Sequence, residues 1–254
     1  MDKGLIISAG KAPAAGYACT YLKEQGFAVL DRPSPAGRHV LLDVPSFRPD
    51  GELRFGGDVE QLLRELPPDV TVWGGNLSHS ALAGYRTVDL LKDPDYLAQN
   101  AYITAECVLD VTLPRFSGLL RGCPVLIIGW GRIGKCLARL LRALDADVTV
   151  AARKETDRAI LTALGYRTVA TARLTDLLPQ YRLIYNTAPE PVLSREQTVL
   201  CSPDCLKVEL ASKPGMEGED IFVARGLPGV HRPEASGQLI ARTMIRYLNK
   251  EESS

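Results

Sequence analysis

Short apolar runs alternate with helix-length amphipathic stretches along nearly the whole chain. Runs at 5–9, 27–30, 39–44, 70–73 and 85–91 are bounded by Gly, Pro, Asp or Asn and predict strands. Between them, residues 13–25 and 58–66 carry apolar residues at helical spacing; Gly26 can cap the first, and Pro67 and Pro68 stop the second. Residues 93–113 predict a longer helix. Asp93 is placed to cap it, Pro94 sits in its first turn, Leu97, Ala101, Thr104, Ala105, Val108, Val111 and Thr112 line one side, and Pro114 ends it. Six more strands follow at 124–129, 148–152, 166–170, 182–186, 206–211 and 221–224, with helices at 132–144, 155–164, 173–178 and 194–200 between them. A last helix spans 233–248, and residues 250–254 have the composition of a frayed polar tail.

Strict strand–helix alternation predicts an α/β protein with parallel sheets. The expected organisation is two doubly wound domains joined by a long connector helix. An N-terminal α/β domain covers 1–92, the connector 93–113 and a dinucleotide-binding Rossmann domain 114–232. By analogy with two-domain dehydrogenases, the terminal helix, about 233–249, packs back on the first domain.

The most specific chemistry lies at the first strand of the second domain. Gly129-Trp130-Gly131-Arg132-Ile133-Gly134 follows the strand at once and opens a helix, so the G-x-G-x-x-G fingerprint has both flanks it needs. Gly129 permits the tight turn, Gly131 lets a pyrophosphate approach the backbone, and Gly134 lets the helix pack on the strand. Arg132 and Ile133 lie at the helix start, where free N–H groups and the dipole favour phosphate. NAD-preferring proteins usually place Asp or Glu at the end of the next strand. Here Arg153 and Lys154 stand there, behind Ala151 and Ala152. A guanidinium pairs with a 2′-phosphate bidentately where a carboxylate would repel it, so the expected cofactor is NADP.

Composition narrows the partners. Lys plus Arg and Asp plus Glu both number 30, so no net field draws the chain to nucleic acid or an anionic membrane. No apolar run approaches the roughly 20 residues of a membrane span. Residues 1–4 lead straight into a strand without the apolar region of a signal peptide, which points to a cytoplasmic protein. Six scattered cysteines, only Cys201 and Cys205 close together, predict reduced thiols and no metal site. A homo-oligomer is expected because dimers are common for this architecture.

Ligands sit beyond the carboxyl ends of such strands. Asn186 and Thr187, at the end of the fourth strand, are expected near the nicotinamide ribose. Lys213, Arg225 and Arg232 on later loops supply cations for a carboxylate-bearing substrate. His231 is a candidate acid–base group. Glu106, on the connector helix, is another, or a substrate contact. His79, on a first-domain loop, is a weaker candidate. A D-2-hydroxyacid dehydrogenase shares the two-domain plan and would need an Arg and a Glu, for which Arg182 and Glu209 are the rough candidates. A non-catalytic NADP(H)-binding protein that docks a partner is the other alternative.

Several segments occur in a characteristic order: Asn100 through Glu106, the glycine fingerprint, Val150 through Arg153, Asn186 through Pro189, Leu210 through Gly215, and Gly226 through Gly229 followed by Ala235-Ser236-Gly237-Gln238. This order resembles the A-subunit family of dipicolinate synthase, oxidoreductases of spore-forming bacteria, from about residue 95 to 249. The resemblance implies oxidation of a dihydrodipicolinate-type precursor, a small dicarboxylate, to dipicolinate during sporulation. It also implies that the partner is a flavoprotein-like second subunit. Thr104 and Glu106 match the family's T-x-E segment, with Thr104 as a substrate contact, and Arg153 matches its second-strand arginine. Lys213 stands where the family usually has arginine, Cys107 where glycine is usual, and Ile103 where proline is common.

Overall fold

The computed structural model of the chain describes residues 4–251. It divides into two compact units, Met1–Ile103 with Pro228–Ser254, and Thr104–Leu227.

In the first unit, β1 (Leu5–Ser8), β2 (Val29–Leu30), β3 (Gly37–Leu41), β4 (Thr71–Gly74) and β5 (Arg86–Asp89) form one parallel sheet in the order β2-β1-β3-β4-β5. Helices α1 (Pro13–Glu24) and α2 (Val59–Arg64) supply crossovers. Ala14, Ala15, Ala18 and Leu22 give α1 its buried face. Asp58 caps α2 by accepting from Glu60 N at 2.8 Å and Gln61 N at 3.3 Å. Helix α3 (Pro94–Thr112) begins in this unit, and the division falls within it, at Ile103/Thr104. Pro114 lies in a 3₁₀ turn, Leu113–Arg115, that follows the helix.

In the second unit, β6 (Pro124–Ile128), β7 (Asp147–Ala151), β8 (Arg167–Val169), β9 (Leu183–Asn186), β10 (Leu206–Glu209) and β11 (Ile221–Val223) form a parallel sheet in the order β11-β10-β9-β6-β7-β8. This is the doubly wound order of dinucleotide-binding domains, with its switch point between β6 and β9. Strand β6 is buried from Val125 to Ile128, as a central strand covered on both faces must be. Helices α4 (Arg132–Ala143), α5 (Glu155–Ala163) and the short α6 (Arg195–Thr198) complete the layers. Residues 173–178 do not form the expected α-helix. They lie in two 3₁₀ turns, Thr171–Arg173 and Thr175–Gln180, the second containing Pro179, which cannot donate to a helix ladder.

Residues 226–233, expected as a loop, contain a short helix α7 (Leu227–His231), whose Pro228 sits in the first turn. The last helix, α8 (Pro233–Glu251), runs beyond the expected end at 248, through Lys250 and Glu251. The rest of the expected tail, 252–254, and the leading residues 1–3 lie outside the described residues. Within the first unit α8 packs on α1. A side chain at Gly237 would fall on the Ala14 carbonyl and within 2.7 Å of Ala18 N, so small residues let the two backbones approach. Leu239, Ile240, Ala241, Met244 and Leu248 then join Ala14, Ala18, Leu22 and Trp73 in one core.

Asp93 links the two ends of this unit's helical layer. It accepts from Tyr96 N at 2.7 Å as the cap of α3, from Arg246 Nη2 at 2.7 Å and from Tyr247 Oη at 2.9 Å, both on α8. Burial opposes its ionisation. The Tyr96, Arg246 and Tyr247 hydrogen bonds and the Arg246 charge outweigh that and hold the carboxyl below its usual range.

Candidate cofactor site

The chain turns sharply out of β6 at Gly129, whose φ of +108° favours glycine. A Cβ there would also lie 2.5 Å from Thr187 Oγ1. At Gly134 a Cβ would fall on the Gly129 carbonyl, so only glycine lets α4 begin this close to the strand. Gly131 has nothing within 4 Å on its Cβ side, the open approach a pyrophosphate needs beside the N-terminus of α4. Arg132 is exposed and Ile133 half-buried in the first turn of that helix.

These residues border a cleft of about 550 Å³, walled by Ala151, Ala152, Arg153 and Lys154 from the end of β7 and by Thr187 through Val192 after β9. The donor set fits a dinucleotide: a turn free of Cβ, a helix start, small residues at the strand end and two cations beyond them. Arg158 on α5 braces that strand end, donating to Ala152 O at 2.9 Å and Arg153 O at 2.7 Å. Arg153 Nη1 meets Glu190 Oε2 at 3.3 Å across the cleft.

Thr187 lines the cleft and Asn186 does not. Thr187 Oγ1 donates to Ile128 O at 3.1 Å and so ties the β9 loop to the glycine turn. Asn186 is fully buried. Its Nδ2 donates to both oxygens of Glu209 (2.9 and 3.0 Å) and to Ala188 O (3.1 Å), while Oδ1 accepts from Ala188 N (3.0 Å). Its amide is consumed in shaping the loop that carries Thr187.

Glu209, only 1% exposed, is the hub of this region. Besides Asn186, its carboxylate accepts from Ala211 N (2.9 Å), Gly215 N (2.9 Å) and Met216 N (3.1 Å), and thereby folds the Leu210–Gly215 loop back over the end of β10. Both oxygens are therefore committed, and Glu209 is not available to pair with a catalytic imidazole. Arg182 precedes β9, at the amino edge of the sheet, away from the carboxyl ends where a ligand sits. The hydroxyacid dehydrogenase alternative loses both residues it needed.

The remaining candidates are placed as follows. Thr104 is half-buried and Glu106 exposed on the part of α3 belonging to the second unit, and Lys213 is exposed on the loop that Glu209 holds. His231 and Arg232 are exposed and belong to the first unit, where Arg232 Nη1 donates to the His231 carbonyl at 3.1 Å. Arg225 is exposed in the second unit. His79 stacks on Phe47 at 4.8 Å and accepts from Ala81 N, bordering a separate hollow with Arg48 and Asn76. All six cysteines are free thiols. Among the described residues no cluster of three or more His, Cys, Asp or Glu could hold a metal ion, and no helix is long and apolar enough to cross a membrane. The reading of isolated segments missed Glu190, whose only signal was its place just past a strand's carboxyl end.

Comparison with known proteins agrees with this geometry. Residues 102–197 match the family described as D-isomer specific 2-hydroxyacid dehydrogenase, NAD binding domain. The A subunit of dipicolinate synthase from Bacillus subtilis (strain 168) is 31% identical over 179 residues, covering 66% of this chain and 60% of that protein. The match thus spans about three fifths of that curated relative's length. The crystal structure of the dipicolinate synthase A chain from Bacillus subtilis superposes with a TM-score of 0.84 at 22% identity, over 100% of this chain and 98% of that one. The corresponding crystal structure from Bacillus halodurans gives 0.83 at 20% identity, over 97% and 98%. These structural likenesses establish the fold. The chain resembles the A subunit of dipicolinate synthase, as its loops indicate, and residues 102–197 match a nicotinamide dinucleotide-binding domain found in dehydrogenases.

Proposed function

We propose that the chain is an NADP-dependent oxidoreductase that oxidises a dihydrodipicolinate-type precursor to dipicolinate in the cytoplasm of a sporulating cell. The observation that carries the cofactor preference is the end of β7, where Arg153 and Lys154 line the cleft and no carboxylate occupies the strand end. The similarity to the A subunit of dipicolinate synthase supports the substrate class and a second subunit, for which a flavoprotein-like chain is the proposed partner. A homo-oligomer remains the expected assembly of this chain.

A bound nicotinamide supplies the hydride acceptor. The dihydropyridine ring loses one hydride and one proton, so the products are the aromatic dicarboxylate, NADPH and H⁺. Within the second unit, Lys213 is the cation for a substrate carboxylate, Thr104 is a substrate contact and Glu106 takes the proton. The glycine turn and the start of α4 would hold the cofactor's phosphates, the Thr187 loop would lie near the nicotinamide ribose, and Arg153 and Lys154 would hold a 2′-phosphate.

The test mixes the protein with freshly generated precursor and NADP⁺ and follows NADPH and dipicolinate together. Both should rise with enzyme, and both should slow by about tenfold when NAD⁺ replaces NADP⁺ at subsaturating concentration. Cofactor binding without either product, even after the second subunit is added, would remove the substrate assignment. In the same assay Glu106→Gln should lower kcat by about a hundredfold if Glu106 takes the proton. Full turnover would remove Glu106 from the proton step.

A further inference from the structure

Arg153 has a partner that the proposed cofactor reading leaves unused. Glu190, 37 residues further along, reaches the guanidinium from the opposite wall of the cleft, Oε2 to Nη1 at 3.3 Å. Pro189 and Pro191 flank it and fix φ on either side. The Glu190 carbonyl is packed so closely on Gly215 that a Cβ there would strike it, and Gly215 is in turn held by Glu209. The loop that carries Glu190 is therefore anchored, and its carboxylate is presented to Arg153 by the fold. Among the residues lining the cleft the only acids are Asp157 and Glu190, and Glu190 is the one paired with Arg153.

We propose that Glu190 is a cofactor-specificity residue: it competes with the 2′-phosphate of NADP(H) for the Arg153 guanidinium and weakens binding of that cofactor without affecting NAD(H). This rests on the proposed NADP preference. Carboxylate and phosphate need the same planar donors, and the two anions repel one another at this separation. Both side chains are largely exposed, 72% and 62%, so the ion pair is weak and the more highly charged phosphate displaces it. Glu190 then mutes the discrimination that Arg153 provides but does not abolish it.

The test uses the full chain and two adenine nucleotides that differ only in the group at issue, 2′,5′-ADP and 5′-AMP, with dissociation constants measured by calorimetry. Glu190→Gln should tighten 2′,5′-ADP by about threefold and leave 5′-AMP within about twofold, a shift of the size expected for one exposed charge. Arg153→Ala should weaken 2′,5′-ADP by about tenfold or more, and adding Glu190→Gln to it should recover less than the single substitution gains. An unchanged ratio of the two affinities in Glu190→Gln overturns the proposal while the Arg153 reading stands. Weaker 5′-AMP binding in Glu190→Gln also overturns it, because the carboxylate would then be holding the ribose hydroxyls. If Arg153→Ala leaves the ratio unchanged, the NADP preference and this inference fail together.

Discussion

Replacing Glu209 with alanine is expected to destabilise the second unit by about 4 kcal/mol, a large share of a domain's roughly 5–15 kcal/mol. The substitution removes the acceptor for three backbone N–H groups, of Ala211, Gly215 and Met216, and for the Asn186 amide, all in a region closed to water. Each buried donor left unpaired costs about 1–3 kcal/mol, less whatever relaxation recovers. Glu209→Gln keeps the shape but turns one acceptor into a donor facing other donors, so it should lose about half as much. The chain holds one tryptophan in each unit, Trp73 and Trp130, so urea unfolding followed by fluorescence in a Trp73→Phe background reports the second unit through Trp130. NADPH affinity should fall as well, because Gly215 packs on the Glu190 and Ala188 carbonyls that shape the cleft wall. A loss below about 1 kcal/mol in the alanine variant would mean that water replaces the carboxylate and that Glu209 is not the hub.

Glu209 also marks where the sequence stops being legible. Periodicity gave the alternating elements because short apolar strands and amphipathic helices are local patterns, and the glycine fingerprint named the cleft because its geometry is local too. The Glu209 partners lie at separations of 2, 6, 7 and 23 residues, and only the folded sheet brings them together. Read in isolation, Glu209 looked like a candidate acid and Asn186 like a cofactor contact. Each is in fact the other's partner. The pairing of Arg153 with Glu190 was hidden for the same reason, since β9 lies beside β6 and not beside β8, the strand that precedes it in the chain. Local errors had local causes: Pro228 and Gly229 look like breakers although the first turn of α7 accommodates them, and Pro179 turns an apparent helix into 3₁₀ turns.

Asp93→Ala should destabilise the first unit by about 3 kcal/mol. About 1 kcal/mol is the lost cap of α3, and the remainder is the bonds from Arg246 and Tyr247 that join α3 to the end of α8. Asp93→Asn keeps a capping oxygen and removes the charge, so it should lose about half of this. Trp73 reports the event directly, because its ring lies edge-on to Tyr247 at 6.0 Å, and a Trp130→Phe background isolates its signal. The two variants separate further with pH. The native carboxyl is held below its usual range, whereas in the unfolded chain it titrates near about 4. The unfolded state therefore takes up the proton first, and the stabilisation is complete above that value and lost as pH falls through the lower native one. The stability difference between wild type and Asp93→Asn should be constant from about pH 5 to 7 and shrink below about pH 4. A difference independent of pH down to about 2 would assign the effect to hydrogen-bond geometry alone and remove the charge on Asp93 from the account.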